Sequence, residues 1–147
     1  MSILIAHRGN TRGPNKEDEN SIPYIENAIN KGYQVEIDLW YKDKLYFGHD
    51  NAAKIADVSF LLDNMDSLWC HAKNMEALSF LQDIGMNCFG HNKDDHVLTS
   101  WGYIFTLPGA TLGPKCVVAM PEWVNYTDEE LSVAYGICTD WPERYKL

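Results

Sequence analysis

Ile3-Leu4-Ile5-Ala6-His7-Arg8-Gly9 decides how this chain of 147 residues is read. Four apolar residues run straight into a polar cluster closed by glycine, as a buried parallel strand does where it opens into a loop at its carboxyl end. His7 and Arg8 stand at that end. Residues 9 to 20 are polar and hold Gly9, Gly13 and Pro14, which reads as a loop long enough to wrap a ligand. Gln34 to Tyr41 is the next strand. Its period of two sets Val35, Ile37 and Leu39 on one face and Glu36 and Asp38 on the other, so two carboxylates share a face. Leu45-Tyr46-Phe47-Gly48 returns like a hairpin and delivers His49-Asp50.

Outward from this stretch the chain alternates strands and helices. Ser21 is the expected N-cap of a helix with Pro23 in its first turn and an apolar stripe of Ile22, Ile25, Ala28 and Ile29, stopped by Gly32. Asp57 caps a short helix carrying Val58, Leu61, Leu62 and Met65, and Leu68 to Lys73 is a further main strand that again ends in polar groups. Asn74 caps a helix through Leu78, Leu81 and Ile84. After Gly85 the units shorten to strands at Asn87–Gly90, Tyr103–Leu107, Cys116–Met120 and Gly136–Thr139, with a capping box at Thr127 and Glu130 opening one short helix. About seven strands with crossovers predict an α/β fold, a reduced TIM-like (β/α) barrel with a mostly parallel sheet and few helices in the second half, against about 250 residues for the usual eight-fold barrel.

Length and composition, 46% hydrophobic and 22% charged, predict a single domain over residues 1–147 with a well-formed core. A net charge of −9 opposes docking on nucleic acid or anionic lipid, and an anionic ligand requires a local positive trap. Apolar runs fall far short of the roughly 20 residues that span a bilayer. Met1-Ser2 carries no basic leader and Arg8-Gly9 breaks the first apolar run, so a cytoplasmic location is expected. Cys70, Cys88, Cys116 and Cys138 are spread singly and read as reduced core thiols. Trp101, Trp123 and Trp141 are expected to pack in the core, and His91 and His96 to lie on the surface or in loops.

His7-Arg8-Gly9, Asp18-Glu19-Asn20-Ser21, Glu36-Ile37-Asp38 and His49-Asp50 follow one another in an order that resembles the glycerophosphodiester phosphodiesterase family, of the phospholipase C-like barrel type. That family carries HRG, a PENT-like turn, E-x-D and a later HD, then E-x-K after its third strand and TD-x-P near its carboxyl terminus. Here the last two read His71-Ala72-Lys73 and Thr139-Asp140-Trp141-Pro142, with His71 where the family has a metal-binding glutamate. Between Lys73 and Gly136 the likeness is thin, and the family's usual insertion after HD is missing. A lone HRG is weak evidence, whereas the ordered set is specific.

The resemblance implies a divalent cation held by Glu36 and Asp38, with Glu19 near it, and His7 and His49 as the acid and base of phosphodiester cleavage. The residue types agree. Paired carboxylates suit Mg²⁺, Ca²⁺ or Mn²⁺, two imidazoles move protons near neutral pH, and Arg8 and Lys73 suit a phosphate. His71 shares a face with Lys73, two residues on, which makes it the expected third metal ligand. The reading is a metal-dependent hydrolase of a small phosphodiester; the alternative is a non-catalytic phosphate- or sugar-phosphate-binding protein on the same fold. The scarcity of helix from Gly90 to Glu122 leaves apolar strands to be covered, and a homodimer is the expected cover.

Overall fold

Strand β1 (Ile3–His7) is followed by helix α1 (Ile22–Asn30), strand β2 (Gln34–Tyr41) and the short hairpin partners β3 (Leu45–Phe47) and β4 (Lys54–Ile55). Next come α2 (Val58–Asp63), β5 (Leu68–Ala72), α3 (Met75–Asp83) and β6 (Cys88–Gly90). The second half holds β7 (His96–Leu98), β8 (Ile104–Thr106), β9 (Cys116–Ala119), α4 (Asp128–Ser132) and β10 (Gly136–Thr139), with 3-10 turns between. These elements come from a computed structural model that describes residues 2–90 and 93–146. The expectation for His91 lies outside them.

The strands form one curled sheet in a mixed α/β fold. β6, β5, β2, β1, β10, β9 and β8 lie side by side, each pairing with the next in parallel. β3 is antiparallel to the carboxyl end of β2, and β4 to β3. At the far edge β7 is antiparallel to β8. The sheet bends until its two ends approach without forming a ladder. Ser100 makes the join: its N–H donates to the Cys88 carbonyl at 2.8 Å, its hydroxyl accepts from the Cys88 N–H at 2.9 Å and donates to the Met86 carbonyl at 2.8 Å. The barrel is therefore only partly closed.

The period of two along each strand divides the core. Ala6, Val35, Ile37, Leu39 and Cys70 face outward onto Ile25 and Ala28 of α1, Leu61 of α2 and Ala77 and Leu81 of α3. Ile5, Trp69, Phe89, Phe105, Val117 and Cys138 face inward and fill the bend, with the rings of Phe89 and Phe105 stacked at 4.4 Å between centroids. Burying each such side chain is worth about 1.5–3 kcal/mol, which is what holds a short, incompletely laddered barrel in shape. Both carboxylates of β2 stand on the inward face.

Asp57 accepts from the Ser59 N–H, Asn74 from the Ala77 N–H, and Thr127 with Glu130 forms the full capping box. Ser21 does not cap α1: its hydroxyl donates instead to the Asp18 carbonyl at 2.7 Å and tightens the preceding turn. All four cysteines are free and buried. Trp123 is 70% exposed and Trp101 41% exposed, so core packing fails for both; Trp123 ends a 3-10 turn and Trp101 lies in the turn between β7 and β8. His96 is exposed, as expected, but on β7, with Nε2 against the Thr111 carbonyl at 2.8 Å. Among the described residues no helix is long and apolar enough to cross a membrane.

Candidate active site

Parallel pairing of β1 with β2 sets His7 opposite Glu36, and pairing of β2 with β5 sets Asp38 opposite His71. Three strands thus bring their polar ends to one place. Gly9 then turns the chain sharply, at φ +88°, and a Cβ there would lie 2.9 Å from the Tyr24 ring of α1. Only glycine suits both demands. Arg8 and Asn20 are also left-handed, each at φ +57°, and the Asn20 N–H donates to the Arg8 carbonyl at 3.1 Å. Non-glycine residues held so cost about 1–3 kcal/mol each, a cost that the surrounding bonds must offset.

Those bonds converge on the inward carboxylates. Asp38 Oδ2 lies 3.4 Å from Arg8 Nε and accepts from the Asn20 amide at 3.1 Å, while the Asp38 N–H donates to Asn20 Oδ1 at 2.9 Å. Asp38 Oδ1 lies 3.1 Å from His71 Nδ1. Glu36, 2% exposed, is more loosely held: Oε1 is 3.3 Å from the Arg8 N–H and 3.8 Å from His7 Nε2, and Oε2 is 3.8 Å from His71 Nδ1. Burial and the neighbouring Asp38 charge push the Glu36 pKa up. Burial works in the same direction on Asp38, but the His71 hydrogen bond and charge and the Asn20 amide outweigh it and hold that carboxyl at about 2.

Glu36, Asp38 and His71 each offer one ligand atom, all within 4.8 Å of one another. Two carboxylates and an imidazole are a donor set for a divalent cation, with the imidazole favouring Mn²⁺ or a later metal over Mg²⁺ and Ca²⁺. Glu19 stands outside this group. Oε2 accepts from the Asn10 amide at 2.9 Å and the Asn15 N–H at 2.7 Å, and Oε1 faces Arg8 Nη1 at 3.3 Å. Burial alone would raise the Glu19 pKa, yet these donors lower it. In this arrangement Glu19 tethers the loop and orients Arg8.

No family model, curated protein or solved structure matches the chain. The site is therefore read from its own geometry. His7 Nδ1 meets Asp140 Oδ1 at 2.8 Å, and the same oxygen accepts from the Asn10 amide at 2.9 Å. Burial tends to lower the His7 pKa, but the Asp140 hydrogen bond and the Glu36 charge raise it overall. Burial opposes the shift of Asp140 too, and the His7 contact prevails to lower its pKa. His49 is held in the same manner, Nδ1 to Asp50 Oδ1 at 2.8 Å, although it is an exposed residue. Each imidazole is fixed at Nδ1 and presents Nε2.

His49 and Arg8 line the same cleft of about 370 Å³, together with Lys16, Glu19, Asn20 and Lys54. Gly48, at φ +155°, makes this turn possible, because a Cβ there would overlap the Asn51 carbonyl. The Gly48 N–H donates to the Asp38 carbonyl at 3.1 Å, which ties the His49 turn to the carboxylate strand. Lys73 follows β5 two residues after His71, its N–H on the Leu39 carbonyl at 2.8 Å.

Sequence reasoning passed over three residues of this site. Asp140 was visible as part of Thr139-Asp140-Trp141-Pro142, but its contact with His7 depends on β10 lying beside β1, 133 positions away. Asn10 and Asn20, both in the loop after β1, join Asp140, Glu19 and Asp38 into one network; Asn10 directly after His7-Arg8-Gly9 and Asn20 within Asp18-Glu19-Asn20-Ser21 were the signal.

Proposed function

We propose that the chain is a metal-dependent phosphodiesterase, cleaving a small phosphodiester of the glycerophosphodiester type on a shortened TIM-like barrel. The observation that carries this reading is the juxtaposition of the Glu36, Asp38 and His71 donor set with a His7–Asp140 pair and the Arg8 guanidinium. A divalent cation bound by those three side chains would neutralise phosphoryl oxygens as charge develops on them.

The remaining work falls to the chain's own groups. Arg8 and Lys73 draw in the phosphate, the first through a planar fork already aimed by Glu19 and Asp38. His7 and His49 divide the proton transfers: one Nε2 takes the proton from the attacking hydroxyl or water, the other returns one to the departing alkoxide. Asp140 and Asp50 fix which nitrogen of each ring is free to do so. The Asp140 carboxylate on Nδ1 also favours the protonated ring, which suits His7 to take up a proton at Nε2.

Hydrolysis of glycerophosphocholine and bis(p-nitrophenyl) phosphate, measured in EDTA and with Mg²⁺, Ca²⁺ and Mn²⁺, tests the reading. Metal-dependent turnover that His7→Ala and His49→Ala each abolish is the expected result. Metal-dependent binding of either diester with no turnover under any condition would leave a phosphate-binding protein instead.

A further inference from the structure

The cleft beside the carboxylates is positive in a chain that is not. The chain carries a net charge of −9, yet Arg8, Lys16 and Lys54 all line this one cavity. Of these, Arg8 is already engaged by Glu19 and Asp38. Lys54 is engaged differently: Nζ donates to the carbonyls of Glu17 at 2.9 Å and Glu19 at 3.2 Å, acceptors without formal charge. Those bonds aim the ammonium but leave its charge uncancelled, with a third N–H to give. Lys16 is exposed on the same loop; the Asp50 pKa is lowered first by the His49 hydrogen bond and charge, and Lys16 lies close enough to add a smaller lowering. Of the two acids in the lining, Glu19 is turned to Arg8, Asn10 and Asn15, and Asp50 is turned to His49 at the solvent edge.

We propose that this cleft receives the alcohol substituent of the phosphodiester, and that this substituent carries a second phosphate of its own. The inference rests on the hydrolytic reading and names its substrate class. A cavity of about 370 Å³ is near the lower limit for small-molecule sites and suits a three-carbon phosphate ester rather than a lipid tail. Two ammonium groups act as point charges on such a dianion, and a trimethylammonium head group finds like charge in the same place. His49 stands at the edge of the same cleft, where the alcohol oxygen leaves.

Two measurements test this. In the first, glycerol 3-phosphate, glycerol and choline are titrated by calorimetry into the full chain in EDTA. With the cation removed, the carboxylates repel a phosphate, so binding reads the cleft. Glycerol 3-phosphate is expected to bind where glycerol and choline do not, and Lys16→Glu to weaken it about tenfold or more, with Lys16→Met intermediate. In the second, kcat/KM is compared for glycerophosphocholine, glycerophosphoglycerol and glycerophosphoglycerol phosphate. The last is expected to be preferred about tenfold over the first, and Lys16→Glu to move that ratio toward glycerophosphocholine. No glycerol 3-phosphate binding, or binding and substrate ratios indifferent to Lys16, overturns the cleft assignment even if hydrolysis is robust. Lys16-dependent binding of glycerol 3-phosphate with no diester turned over overturns the hydrolytic reading and keeps the anion cleft.

Discussion

Replacing Glu36 by Gln is expected to make the cation-free protein more stable. Glu36 is 2% exposed, and the three groups that could compensate its charge lie at 3.3, 3.8 and 3.8 Å. Charge-assisted hydrogen bonds sit nearer to about 2.7–2.9 Å, so none of the three repays the loss of water, and Asp38 adds repulsion. The amide keeps an acceptor oxygen for the Arg8 N–H and removes the charge. Relief of one such functional strain is typically worth about 1–2 kcal/mol, or roughly 3–6 °C in Tm for a chain of this size. The pH dependence has a definite sign. Because the folded-state pKa of Glu36 is raised, ionising it opposes folding; the penalty is absent below the unfolded value of 4.5 and grows as pH rises through the folded value. The advantage of Glu36→Gln is therefore small at acid pH and larger at pH 8. Thermal melts in EDTA at both pH values read it, and the same melts with excess Mn²⁺ should stabilise wild type by about 2.7 kcal/mol at a hundredfold over Kd and the variant much less. A Glu36→Gln protein that melts below wild type at pH 8 in EDTA would refute the argument, showing that the carboxylate is held by the fold and not merely contained in it.

Asp140→Asn is expected to lower kcat for glycerophosphocholine by about 10²–10⁴-fold, since the neutral amide no longer stabilises charge on His7, while circular dichroism stays native; an unchanged kcat removes His7 from proton transfer. His71→Glu should raise affinity for Mg²⁺ and Ca²⁺ relative to Mn²⁺ in calorimetric titrations, and identical metal preference would show that His71 does not touch the cation. Gly48→Ala drives a Cβ into the Asn51 carbonyl and should displace the His49 turn, lowering kcat together with Tm; a variant with wild-type values for both contradicts the strained turn. Ser100→Ala removes the hydroxyl that bonds Met86 and Cys88 and should cost about 1–3 kcal/mol in urea unfolding, with faster amide exchange at Cys88 as the local reading.

What could be read from the chain beforehand was whatever depends on near neighbours. The separation of Glu36 and Asp38 from Val35, Ile37 and Leu39 follows from the two-residue period alone, and the caps at Asp57, Asn74 and Thr127 from the donors two or three residues ahead of them. Ser21 looked the same locally, but the Asp18 carbonyl competed for its hydroxyl. β4 and β7 escaped because runs of two or three residues, none of them fully buried, carry no usable periodicity; they exist because β3 and β8 offer them an edge. Asp140 needed the curl of the sheet to bring β10 against β1. Trp123 was misplaced for the converse reason, since its size argues for burial while the turn that carries it leaves it exposed.

His71, Glu36, Asp38, His7 and Asp140 come from β5, β2, β1 and the end of β10, four strands that are contiguous in the sheet, while Phe89, Phe105 and Val117 on the remaining arc present only hydrocarbon to the interior. Chemistry and ballast are thus segregated around the circumference. An arc that contributes volume and no reactive group is free to lose crossover helices and even its last ladder, provided that rings of the right bulk remain to occupy the space. That division marks the loops of the apolar arc as the place for an inserted segment, whereas trimming Phe89 itself would reach the polar side, because its ring stacks on His71 at 5.1 Å between centroids.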